Sequence, residues 1–106
     1  MHDCIAKRKA ALLRSYRCQQ LHLDGVVSLA FHLGLDDREV GELLEQLASF
    51  EPDATARERQ RAMLVRGYRR LGLVDVLYLA DLLGFDEEDK IELIDSCGEL
   101  DLDLAA

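Results

Sequence analysis

The sequence predicts an all-α protein of six helices, arranged as a tandem repeat of two three-helix units that share one core. Three observations predict it. The stretch Leu29-Ala30-Phe31-His32-Leu33-Gly34-Leu35-Asp36, running on to Leu43-Leu44, returns fifty positions later as Leu79-Ala80-Asp81-Leu82-Leu83-Gly84-Phe85-Asp86, running on to Leu93-Ile94. Seven of sixteen positions are identical between 29–44 and 79–94, where roughly one would coincide at average residue usage. Leu, Ala, Glu and Arg dominate the composition and proline occurs once, a helix-forming balance. Apolar residues return every three or four positions along most of the chain, the period of an amphipathic helix. Residues 1–51 form the first repeat, and 52–106 the second with a short C-terminal tail, joined at Pro52 into one compact domain.

The first helix spans 4–20, with Ile5, Leu12 and Tyr16 on one side, Leu13 flanking, and Lys7 and Arg14 opposite. Asp24 is placed to cap a second helix that runs to Leu33 and stops at Gly34, where a left-handed backbone costs glycine nothing. Asp36 with Glu39 forms a capping box for the third helix, whose apolar face is Val40, Leu43, Leu44, Leu47 and Phe50. Glu51-Pro52-Asp53 is the linker. Thr55 with Glu58 opens the fourth helix as a second capping box, and Leu64, Tyr68 and Leu71 line it. Gly72 separates it from a fifth helix over Val74–Leu83; Gly84 and Asp86 repeat the stop and the cap. The sixth carries Ile91, Ile94 and Cys97 and ends at Gly98. The alternation Leu100, Leu102, Leu104 suits an extended tail. The first helix matches the fourth at an offset of 52, and the rest matches at 50, so two residues sit extra in the first copy around Leu21-His22.

Charge follows the same repeat. The chain carries 13 basic and 21 acidic side chains, net −8. By segment the net charge is +4 over 1–20, −7 over 21–56, +5 over 57–70 and −10 over 71–106. Each copy therefore pairs a basic first helix, carrying Lys7 and Arg14 or Arg59, Arg66 and Arg70, with acidic helices. The acidic surface is Asp37, Glu42 and Glu45 in one copy and Glu87, Glu88 and Glu92 in the other. Such a chain is repelled by nucleic acid and anionic lipid at long range. The N-terminal residues lack the apolar core of a signal peptide, and no apolar run approaches membrane-spanning length. A cytoplasmic protein with reduced thiols is expected.

The most informative anomaly lies in the second helix of each copy. Val26, Leu29, Ala30 and Leu33 supply one inward stripe, and Val76, Leu79, Ala80 and Leu83 the other. Val27 and Phe31, and then Leu77, Tyr78 and Leu82, fall outside the stripes. Helices apolar on more than one side are buried there or meet a partner. Either the two copies pack these helices against each other, or Val27, Phe31, Leu77, Tyr78 and Leu82 form a dimer or partner interface. Cys18 and His22 stand four apart, and His2 and Cys4 could complete a tetrahedral zinc site with them. The competing reading, packed Cys and exposed His, is favoured, so no metal and no cofactor is assigned. No Ser, Cys or Lys is tied to a His by a recognisable motif, and no Gly-rich loop cradles phosphate, so no catalytic residue is assigned.

Residues 26–45 resemble the helix-turn-helix family: a small residue at Ala30, Gly four positions on at Gly34, and branched apolar residues at Val40 and Leu43. In the second copy Lys90 stands where Val40 does, and the apolar residue has moved to Ile91. The resemblance implies a dimeric DNA-binding transcription regulator. The positions that would then face the duplex are Asp36, Asp37, Arg38, Gly41, Glu42 and Glu45, four of the six acidic, whereas duplex affinity comes largely from Lys and Arg. Composition and patterning together point first to a small acidic, non-catalytic regulator or adaptor that binds another protein, one with a basic surface, with a homodimer possible.

Overall fold

The computed structural model describes the backbone of residues 2–105 and the side chains of residues 6–100. Six helices follow in order: α1 (His2–Arg17), α2 (Leu23–His32), α3 (Asp37–Ala48), α4 (Ala56–Leu71), α5 (Leu73–Leu82) and α6 (Glu87–Ala105). Among the described residues there is no strand.

The turns explain where the helices stop. Gly34 and Gly84 take φ of +90° and +80°, a region that favours glycine. In each case the residue after the glycine reaches back five positions: Leu35 N–H donates to the Ala30 carbonyl and Phe85 N–H to the Ala80 carbonyl, at 3.1 and 3.0 Å. Asp36 then accepts from the Glu39 N–H at 2.8 Å, and Glu39 accepts from the Asp36 N–H at 3.3 Å. Asp86 and Asp89 make the same reciprocal pair. Thr55 accepts from the Glu58 N–H, but the return half of that box is not made. A guanidinium closes the ends of α2 and α5: Arg8 donates to the Leu33 carbonyl, and Arg57 to the Leu83 carbonyl while lying over the Phe85 ring.

Three expectations are corrected. The α1–α2 turn begins at Cys18 and includes Gln19 in a left-handed conformation, with Gln20 and Leu21 N–H both donating to the Ser15 carbonyl. This turn absorbs the two extra residues, so α2 starts at Leu23, with His22 and not Asp24 as its N-cap residue. Gly98 does not end α6, and the tail is helical rather than extended through Ala105. One glycine inside a helix costs about 1 kcal/mol, and a helix already formed over several turns extends past it at one bond per residue. Finally, the core side of α6 is Leu93 and Cys97, while Ile91 and Ile94 are exposed.

Helices pack among α1–α3, among α4–α6, and across a seam between the two. α1 lies on α2 and α3, and α2 on α3; α4 lies on α5 and α6, and α5 on α6. Across the seam α3 packs on α4 and α5, and α2 on α4. One continuous cluster of buried side chains runs through both groups, from Leu12 and Val26 through Leu44 and Met63 to Leu93. Two glycines let the seam close. A Cβ on Gly41 would lie 2.9 Å from the Leu82 carbonyl oxygen, and one on Gly67 would lie 2.9 Å from Leu23 Cδ2. No helix of the described residues is long and apolar enough to cross a membrane.

Candidate functional site

The apolar residues that the helical period leaves unaccounted for meet at a groove between α2 and α5. Residues three and four apart share a helix face, and so Asp24, Val27, Ser28 and Phe31 line one wall while Asp75, Tyr78 and Leu79 line the other. The last turn of α4 closes the end with Arg70 and Leu71. The groove has a volume of about 420 Å³. Its floor is apolar: Val27 and Leu79 are buried, and Leu71 packs on the core. At its lip the rings of Phe31 and Tyr78 meet with centroids 6.3 Å apart and planes tilted by 42°, within the range of favourable aromatic contact. They stay 39% and 41% exposed. Among the described residues this is a side-chain contact only, because the α2 and α5 backbones do not pack on each other.

Tyr78 is held in place. Its hydroxyl donates to Asp37 Oδ1 at 2.6 Å, tying α5 to the first turn of α3. This hydrogen bond, followed by burial and the Asp37 charge, raises the phenol above its ordinary value of 10.0. Asp24 and Asp75 set two carboxylates on the groove wall, with Arg70 as the one basic residue of the lining. Chemically, this arrangement suits an apolar side chain entering between the rings and cationic groups docking beside it. The lining holds neither imidazole nor thiol.

The other predicted interface residues go elsewhere. Leu77 and Leu82 are half-buried against the core and do not line the groove. Leu29, expected to face inward, is exposed, and so is Phe50 at the end of α3. Of the acidic set, Glu42 is engaged by Lys9 at 3.8 Å and Arg38 at 3.4 Å, Glu92 by Arg61, and Asp37 by Tyr78. Glu45, Glu87 and Glu88 are exposed. Lys7, Arg14, Arg66 and Arg70 are exposed and Arg59 half-exposed. Cys18 is exposed in the turn after α1, and His22 lies beyond it at the start of α2, so no single helix aligns them. The side chains of His2 and Cys4 lie outside the described residues. Among the described residues no group of three His, Cys, Asp or Glu could hold a metal ion.

Periodicity gave no sign of Glu51. It sits in the linker yet its side chain is only 3% exposed, held by Arg66 Nη2 at 2.8 Å. Burial raises its pKa from 4.5, with Arg66 opposing and Asp53 adding to the rise. Beside it Tyr16 stacks on Phe50 at 6.4 Å, and burial followed by the Glu51 charge raises the Tyr16 phenol. A linker has no repeat spacing to read, so only the fold brings these groups together.

Comparison with protein families, curated proteins and solved structures finds no match to this chain.

Proposed function

We propose that the chain is a duplicated three-helix unit acting as a small, acidic, non-catalytic adaptor that binds another protein through the α2–α5 groove. The duplication is supported by matched parts. Helices of 16 and 10 residues open each half. The glycine stops, reciprocal aspartate caps and guanidinium-closed ends recur, and Lys9–Glu42 reappears as Arg61–Glu92.

The observation that carries the binding role is the Phe31–Tyr78 pair, two half-exposed rings held over an apolar floor. Aromatic side chains that are fixed in place and partly open to water supply much contact area at little entropic cost. The occupant that fits is an amphipathic helix with an apolar anchor and flanking Lys or Arg. Its anchor would enter beside Phe31 and Tyr78, and its cations would meet Asp24 and Asp75. The net charge of −8 favours the same partner.

A lysine–leucine amphipathic helical peptide, titrated into the labelled protein and followed by NMR, tests this reading. Shifts at Val27, Phe31, Tyr78 and Leu79 that weaken as salt rises are expected. Substituting Phe31→Ser together with Tyr78→Ser should remove them, while Leu29→Ser should not. Peptide binding that is indifferent to Phe31 and Tyr78, or unchanged by salt, overturns the groove as the site. Tight duplex binding at low salt would instead favour the DNA-reading role.

A further inference from the structure

We propose that the chain also associates head to tail with a second copy of itself, α6 of one molecule receiving α1 of the next. The inference rests on the duplicated-unit reading, because the seam inside the molecule is its template. On α3 the residues Gly41, Leu44, Glu45 and Ala48 share the face turned to α4 and α5. Glu45 and Ala48 line one cleft with Ala56, Arg59 and Gln60 of α4, so an acid on α3 stands across from a base on α4.

Fifty positions on, α6 presents Ile91, Ile94, Asp95 and Gly98 in those places. Among the described residues no helix packs over this strip. Ile91 is 56% exposed and Ile94 40% exposed, and a Cβ on Gly98 would meet no atom within 4 Å. At the opposite end, α1 occupies the place that α4 has at the seam. There Lys7 corresponds to Arg59, Ala11 to Met63 and Arg14 to Arg66, and all three α1 residues are exposed. The free ends thus hold the two halves of the seam's own pairing: an apolar strip beside Asp95, and a basic strip around a small residue.

Charge selects this occupant over the alternatives of the same chain. Two α6 helices facing each other would bring together Glu87, Glu88, Asp95 and their symmetry copies, a like-charge contact. An α1 on α6 places Lys7 and Arg14 against those acids, with the aliphatic stems of the basic residues lying on Ile91 and Ile94. The contact is smaller than the seam. Ile91 replaces Gly41, whose missing side chain is what admits the α5 backbone, so the incoming α2 is held away and α1 docks alone.

Light scattering and sedimentation of the full chain, from micromolar to millimolar concentration and at low and high salt, test this. Association that weakens with salt is expected. Asp95→Lys and Lys7→Glu should each weaken it about tenfold or more. Because a head-to-tail contact is heterologous, mixing these two variants should restore association: the unaltered α6 of the Lys7→Glu chain receives the unaltered α1 of the Asp95→Lys chain, and the two charge-reversed faces complement each other. A monomer at every concentration overturns the proposal, as does association that survives both substitutions. Loss of association in the Phe31→Ser, Tyr78→Ser variant would move self-contact to the groove and also overturn it. A monomer that still binds the lysine–leucine peptide at Val27 and Tyr78 removes this contact alone and leaves the adaptor reading standing.

Discussion

α3 and α6 occupy the same place in the two proposed units, and they live in different surroundings. α3 is buried on two sides: Val40, Leu43 and Leu47 on one, and Gly41, Leu44 and Ala48 on the other. α6 is buried on one side, at Leu93 and Cys97, and open at Ile91 and Ile94. The residues that differ most between them are those that face a neighbour in one case and solvent in the other. Gly41 against Ile91 is the clearest. A side chain is excluded where α5 passes and tolerated where nothing does. Matching positions in the two halves carry the helix, its stop and its cap; mismatched positions carry the seam.

The largest expected effect comes from giving α3 the residue of α6. Gly41→Ile drives a branched side chain against the Leu82 carbonyl and should cost above about 3 kcal/mol by overpacking. The converse, Ile91→Gly, should cost only about 1 kcal/mol of helix propensity. Denaturant unfolding of the pair measures the contrast, and equal losses would break the comparison. Next comes truncation at the following turn. Leu44→Ala, at a fully buried position, should cost about 3 kcal/mol. Ile94→Ala, half-exposed, should cost about 1 kcal/mol or less.

A smaller effect should come from the buried carboxylate at the seam. Glu51 has a higher pKa folded than its ordinary 4.5, so the folded chain binds the proton more tightly. Its contribution to stability is fully present below that ordinary value and is lost as pH rises through the folded one. Subtracting the pH–stability curve of Glu51→Gln from that of the unmodified protein should expose this fall, and a flat difference would contradict it. The smallest effect concerns the α5–α3 tie. Tyr78 should ionise above 10.0, the tie being present below that value and lost as pH rises through the raised pKa. Asp37→Asn should move the ultraviolet titration of that phenol downward. The matching residue on α2 is Ser28, which can make no such tie to a third helix at the outer end.

The local grammar was legible in the sequence. Asp36 with Glu39, Gly34 and Gly84 announce helix ends by chemistry that acts within a few residues. What was not legible depends on which neighbour arrives. A helical period says that α6 has apolar residues at Ile91, Leu93, Ile94 and Cys97, but not which of them a partner helix covers. The alternating leucines at 100, 102 and 104 suit a strand only where another strand waits, and none does among the described residues. The groove was half legible: Phe31 and Tyr78 stood out as surplus apolar residues, but Leu77 and Leu82 stood out equally. Only packing separates the pair that meets at the lip from the pair that leans on the core. Glu51 was invisible, since burial of a linker carboxylate follows from Arg66 arriving fifteen residues later.

The glycines at 41 and 67 also make the contact between the two halves one-sided. The positions that match them are Ile91 and Ser15, so a side chain stands at each place where the seam has none. The close fit between halves therefore cannot be repeated with α6 and α1 standing in for α3 and α4. Two absent side chains decide which faces of the halves can come within touching distance of each other's backbone.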